Sequence, residues 1–399
     1  MALTNQRSMA LQSDGGTLPL FVSKALPSAG EKGAWTMAYG PGKVMGWRES
    51  NGVVRVLLLE QGQINELPDI LWDGKVQPID AQDCLRVNLQ GRVACTFGEH
   101  QGVALWRPDL QAWTIIAAPS TSDTKFRVIG LNERNEVLIE RLASSSDALL
   151  VSEEGHVLLS QAGKPLALNE AGDMALHRQS GSQETGDGLL DLIVTDRTGK
   201  THYTYSMAKS DCHSLSCYRD WGFGTDEGFN AMPLNLTPDQ RFVAIGYHAQ
   251  YDDQKILRSR PVFVEAGAAD GQVWEAGLAV SDTEQLMDIN ANVARRAWND
   301  AAGDSSTLNP YAVANQRGDA MLLVTLADYA GAMTRSVPVL YLDGGFYDAR
   351  TLLANPAAAP GVAFGRSINA LRQMVECAEM QTNDQCWLIE PASLASAAQ

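Results

Sequence analysis

Seven recurrences of one short turn motif, each leading into an apolar strand with further strands behind it, predict an all-β repeat fold, a seven-bladed β-propeller with four-stranded antiparallel blades. Composition agrees with this. The 399 residues carry 35 Gly against 16 Pro, a glycine load suited to many tight turns. A hydrophobic share of 45% with 20% charged residues is enough for a sizeable core. Closed β architectures also run long as single domains.

The motif is an apolar residue, usually Asn next, then a short turn containing Gly or a substitute, then the strand. Its first unit lacks the Asn: Tyr39-Gly40-Pro41-Gly42 precedes Val44–Trp47. The second is Val87-Asn88-Leu89-Gln90-Gly91 before Val93-Ala94-Cys95, and the third is Leu131-Asn132 before Val137-Leu138-Ile139. Leu168-Asn169 leads into Met174-Ala175-Leu176. The fifth unit reads Leu234-Asn235 with one extra residue through Pro238-Asp239, then Phe242–Gly246. Ala314-Asn315 precedes Ala320–Val324, and Ile368-Asn369 precedes Met374-Val375. Asn and Gly tolerate the positive φ of tight hairpins, and Asn also bonds its own local backbone. These asparagines are therefore read as structural. The apolar runs after them read as strands buried on both faces.

A third strand follows in each unit, for example Val103–Trp106, Ala148–Val151, Pro261–Val264, Val337–Leu342 and Cys386–Ile389. A fourth follows a second turn, as in Trp113–Ile116 and His156–Leu159. The last unit has no fourth strand of its own, while Leu18–Val22 is a strand with no unit. The N-terminal strand is expected to complete the last blade and close the ring, leaving no open edge. The boundaries that follow are a disordered or extended segment over 1–17, one propeller domain over 18–392 with loop insertions at about 203–230 and 281–307, and a tail over 393–399. Within the second insertion, Asp288-Ile289-Asn290 could be another repeat start, but Ser281 to Asp300 also reads as a helix, with a Ser281/Glu284 capping box and Leu286, Ile289, Val293 and Ala297 at helical spacing; the segment is read as a decorated loop.

These residues resemble a known family. The Asn-x-x-Gly-x-Val turns followed by an Ala-Leu-Trp strand are similar to the HAF repeats of bacterial extracellular proteins, over about Trp35 to Trp387. The resemblance implies a secreted or envelope-associated, propeller-like protein. It implies no reaction and brings no catalytic residues.

The net charge of −16 and a pI near 4.8 oppose a phosphate backbone, so nucleic acid is not an expected partner. No apolar run reaches the length of a transmembrane helix. Residues 1–17 hold no signal-peptide core, so an exported form would have had its leader removed. The six cysteines fall into close pairs, Cys84/Cys95, Cys212/Cys217 and Cys377/Cys386. Local disulfides in an oxidising, periplasmic or extracellular compartment are the simplest reading. The alternative is unpaired buried thiols in the cytosol. If Leu89-Gln90 forms the two-residue turn, Cys84 and Cys95 sit opposite each other, at a site where a bond is strained or the register differs.

Catalytic constellations are absent from the sequence. It has no Gly-x-Ser-x-Gly elbow, no His-Glu-x-x-His helix and no phosphate-binding glycine loop. No catalytic residue, metal ligand or cofactor is expected, and a structural calcium ion would have to be held by scattered oxygens. The most unusual stretch is Tyr203–Phe229, rich in aromatics around Cys212 and Cys217. Aromatics and Arg on a pinned loop suit a preorganised binding patch, with Tyr218, Arg219, Trp221 and Phe223 as its contacts. The alternative is a loop folded onto its own satellite core. The expected function is non-enzymatic: a chain monomeric on its own that binds a protein partner or a glycan. The competing reading is a hydrolase or lyase acting on polysaccharide at the central propeller face, with isolated acids such as Asp187, Asp191, Asp252 and Asp253 as candidates.

Overall fold

The computed structural model describes residues 5–397 apart from 11–19, 31, 81–85, 119–123, 144–145, 181–188, 208–231, 241, 253–254, 267–272, 280–283, 291–314, 329–332, 344, 355–363 and 379–384. In chain order, β1 (Asn5–Ala10) and β2 (Phe21–Ala25) come first. Sheet 1 contains β3 (Gly33–Gly40), β4 (Lys43–Ser50), β5 (Val53–Glu60) and β6 (Gln63–Glu66). A separate hairpin follows, β7 (Ile70–Trp72) and β8 (Lys75–Gln77). Sheet 2 is β9 (Arg86–Val87), β10 (Val93–Phe97), β11 (Gly102–Arg107) and β12 (Ala112–Ala117). Sheet 3 is β13 (Lys125–Leu131), β14 (Val137–Leu142), β15 (Ser146–Val151) and β16 (Val157–Ala162). Sheet 4 is β17 (Lys164–Leu168), β18 (Met174–Ser180), β19 (Leu189–Thr195) and β20 (Thr201–Met207).

Sheet 5 holds β21 (Met232–Leu236), β22 (Phe242–Asp252), β23 (Lys255–Ala266) and β24 (Val273–Ala279), with β1 added beyond β24. Sheet 6 is β25 (Glu284–Asn290), β26 (Ala320–Asp328), β27 (Met333–Leu342) and β28 (Gly345–Asp348). Sheet 7 is β29 (Phe364–Ile368), β30 (Met374–Ala378), β31 (Gln385–Pro391) and β2. A short helix, α1 (Ala392–Ala397), ends the described chain. The fold is thus an all-β propeller of antiparallel four-stranded blades.

Six sheets have four strands, and one has five. The exception departs from the expected uniform blade because β1 pairs in parallel with β24, from Asn5 opposite Trp274 to Ala10 opposite Ala279. Sequence reading gave residues 1–17 no sheet role because Asn-Gln-Arg-Ser offers little apolar surface; backbone bonding to an exposed edge needs none. At the other sheet, β2 pairs antiparallel with β31, from Phe21 opposite Pro391 to Ala25 opposite Trp387.

A second correction concerns the segment read as a decorated loop with helical spacing. Glu284–Asn290 is β25, paired with β26 from Glu284 opposite Asp328 to Asn290 opposite Leu323. The helical spacing was short, and β26 offers a long apolar partner that the local pattern does not encode. The rest of that segment lies outside the described residues.

The core lies between sheets rather than within a single interior. Met45, Val56 and Leu58 of sheet 1 pack with Val93, Cys95 and Phe97 of sheet 2. Sheet 2 meets sheet 3 through Leu105 and Ile139, and sheet 3 meets sheet 4 through Leu150 and Leu176. Leu340 and Trp387 join sheets 6 and 7, and Val375 and Leu57 join sheets 7 and 1. Blades buried on both faces explain why the second strands read as unbroken apolar runs; every residue of β10 is buried.

Candidate functional site

Turns between the first and second strands gather the repeat asparagines at one end of the sheets. Asn88, Asn132, Asn169, Asn315 and Asn369 each accept two backbone N–H bonds through Oδ1, from the residues two and four positions on. Positive φ falls three residues after the Asn instead, at Gly91 (76°), Asn135 (63°), Gly172 (87°), Gly318 (84°) and Arg372 (61°). The asparagines therefore work through side-chain bonding rather than left-handed backbone. The fifth unit is corrected in its register. Thr237, not Asn235, stands five residues before the second strand, and the Gln240 N–H bonds its carbonyl as the Gly91 N–H bonds that of Asn88.

The same side chains then reach the next sheet. Asn88 Nδ2 donates to Asn132 O at 3.1 Å, Asn132 Nδ2 to Asn169 O at 3.3 Å, and Asn169 Nδ2 to Thr237 O at 3.1 Å. Asn315 Nδ2 donates to Asn369 O, and Asn369 Nδ2 to Ala38 O in sheet 1. Each of these asparagines thus fastens its turn to another sheet, and four of them are at most 3% exposed.

The residue after each Asn adds a second link where it is Glu. Glu133 Oε1 accepts the Leu89 N–H at 2.8 Å, and Glu170 Oε2 accepts the Glu133 N–H at 2.7 Å. Gln316 Nε2 reaches Glu170 Oε1 at 2.5 Å, joining sheet 6 to sheet 4 past sheet 5. Burial pushes Glu133 up to about 7, against the Leu89 N–H, and the neighbouring Glu170 charge adds to the rise. Glu170 is raised by burial as well. The cluster can hold a proton near neutral pH. Glu133 Oε1 and both Glu170 oxygens, however, are already engaged by backbone and amide donors, which suits a structural clasp better than attack on a substrate. Sequence reading missed this cluster, although the signal was there: Glu follows the repeat Asn in two consecutive units.

Acids four residues after Asn complete the arrangement. Asn132, Asn169 and Asn315 donate to Glu136, Asp173 and Asp319. Arg372 clasps Asp319 with Nε and Nη2, both at 2.9 Å, and Asp343 at 2.6 Å.

The opposite end carries the connections from the last strand of one sheet to the first of the next. There the β7–β8 hairpin turns Ile70 inward, fully buried, and Trp72 packs edge-on against Phe97 with ring centroids 5.8 Å apart. Its other face presents the directly opposed pair Leu71 and Val76, 65% and 49% exposed. The end of β20 at Met207 and the start of β21 at Met232 lie at this same end.

Tyr218, Arg219, Trp221, Phe223, Cys212 and Cys217 lie outside the described residues, as do Asp187 and Asp253. Asp191 is in β19 of sheet 4 and Asp252 at the end of β22 in sheet 5, so the two acids belong to different sheets. Cys377 and Cys386 face each other across β30 and β31 and form a disulfide. Cys95 is buried among apolar side chains, and Cys84 lies outside the described residues. The ladder pairs Val93 with Val87 and Ala94 with Arg86, one residue away from the register that would oppose Cys84 and Cys95. The early turn is longer than two residues, running from Asn88 to Arg92, and this moves the register. Among the described residues, no group of three or more His, Cys, Asp or Glu could hold a metal ion, and no helix is long and apolar enough to cross a membrane.

No family model matches the sequence, and no curated protein matches it. Among solved structures, the chain is similar to a puromycin-hydrolysing peptidase of Mycobacterium tuberculosis, with a TM-score of 0.52 and 12% identity over 95% of this chain. The match covers 55% of the peptidase, so this chain spans about half of its length. A virginiamycin B lyase from Staphylococcus aureus gives 0.42 at 8% identity, covering 93% of this chain and 99% of the lyase. YCF48 bound to D1 peptide gives 0.42 at 11%, covering 96% and 99%. Only the first likeness is close enough to bear on the fold, and at such identity it bears on nothing else.

Proposed function

We propose that this protein is a non-enzymatic binding module of the periplasm or cell exterior. In this reading, HAF-type blades form a ring that β2 latches through sheet 7, and the loop-bearing end meets a protein partner or a surface glycan. One observation carries it: the Leu71–Val76 pair is held outward on a hairpin whose other face is anchored by Ile70 and Trp72. A rigid apolar pair on a prepared scaffold binds with little ordering cost. The connection bearing Tyr218, Arg219, Trp221 and Phe223 starts from the same end and would add aromatic contacts. The Cys377–Cys386 bond supports an oxidising compartment. The acidic balance of −16 favours a partner with positive charge.

The test is capture from a bacterial envelope fraction with the intact protein, followed by mass spectrometry. A partner retained by the parent and lost with Leu71→Asp and with Trp221→Ala, while Val157→Asp keeps it, supports the reading. Turnover of a polysaccharide by the purified protein overturns it and restores the hydrolase or lyase alternative.

A further inference from the structure

Sheet 5 differs from the other sheets in one respect: its outer edge is already occupied by an added strand. β1 lies parallel to β24 over six consecutive residue pairs, and it also rests against β28 of sheet 6. The other propeller strands are paired in antiparallel order, so β1 is an addition to a complete four-stranded blade rather than a member of it. Its sequence, Asn5-Gln6-Arg7-Ser8-Met9-Ala10, has one cation, no acid and little apolar surface. Such a strand is held chiefly by its backbone, and polar strands specify register weakly and exchange readily.

We propose that the outer edge of β24 is a strand-acceptor site for an extended, neutral or basic peptide segment of a partner, and that residues 5–10 are its resident occupant in cis. Backbone pairing along Trp274–Ala279 supplies the affinity, and the chain's −16 charge favours a cationic strand over an acidic one. The site is separate from the Leu71–Val76 hairpin, which lies between sheets 1 and 2, so either reading can fail without the other.

The experiment uses the full chain carrying Arg7→Pro and Ser8→Pro together. Consecutive prolines remove at least one ladder-facing N–H whichever way β1 is turned. Amide exchange at Trp274–Ala279 is expected to become at least tenfold faster, with Phe21–Ala25 unchanged as a check that sheet 7 stays folded. A synthetic peptide of residues 1–12 should restore that protection and bind the variant at least tenfold tighter than the parent. A second arm needs no substitution. The same peptide with a photo-crosslinker at position 9 is incubated with the parent chain, and labelling should fall on Trp274–Ala279 as the resident strand exchanges. Unaltered protection in the variant, failure of the peptide to restore it, or parent labelling elsewhere would each overturn the proposal.

Discussion

Asn132 makes four side-chain bonds while fully buried: two accepted from the Arg134 and Glu136 N–H groups, two donated to Glu136 and to Asn169 O. Replacing it with Ala strands those groups between two sheets, and unfolding in urea should show a loss of about 2–4 kcal/mol. Glu376 tests a different effect. Burial raises it from 4.5 to about 7, as it does Glu133. A folded value above the unfolded one favours the protonated form, so this stability is complete below pH 4.5 and lost as pH rises through 7. Glu376→Gln should therefore raise the urea midpoint at pH 8 and leave it nearly unchanged at pH 4. Asp109 and Asp196 are held near 2 by their hydrogen-bond partners and act in the opposite sense, but only as pH falls below 3.8.

At the scale of the element, β30 and β31 are joined by a disulfide whose cysteines are nine residues apart. A loop of that size lends about 2–3 kcal/mol through the unfolded chain. Removing both cysteines with Cys377→Ala and Cys386→Ala should cost that much, and reductant should shift the parent's denaturation curve but not the variant's. In β4, a Cβ at Gly46 would meet Ala34 O and the Trp35 ring, at 2.8 Å from its Cε3. Gly46→Ala should lower stability by about 1–3 kcal/mol, read as a fall in thermal midpoint, because the obstacle is backbone and cannot swing away.

Over the whole molecule, an early strand, β2, and a late one, β31, meet in sheet 7. Phe21 is 1% exposed and packs with Leu340, Leu342, Met374 and Trp387, so one side chain of β2 joins sheet 7 to sheet 6. Phe21→Ala should cost about 3–5 kcal/mol. Loss of this packing also loosens β2 from the β31 edge, so limited proteolysis should cut first near β2. A surface mutation such as Val157→Asp should do neither. Sheets 7 and 1 are joined as other neighbours are, by shared apolar packing and by the bond from Asn369 to Ala38 O.

The sequence by itself determined that the protein is built of antiparallel strands joined by tight turns, because a turn and the apolar run behind it are local properties. Asn88, Asn132, Asn169, Asn315 and Asn369 were all legible as turn formers, and Phe21 and Val22 were legible as part of a strand, though β2 runs from Phe21 to Ala25. Only the tertiary structure decided what those residues do beyond the turn. The Nδ2 of each Asn is satisfied by a carbonyl dozens of residues away, and no local pattern encodes that distance. Thr237 displaced Asn235 for the same reason, since the spacing to β22 and the neighbouring sheet select the turn position, not residue type. Glu284–Asn290 became a strand because β26 lay beside it, and Asn5–Ala10 joined a sheet because β24 offered an open edge. Local chemistry sets which turns and strands can form; hydrogen bonds and apolar faces that close only between distant segments set which of them meet.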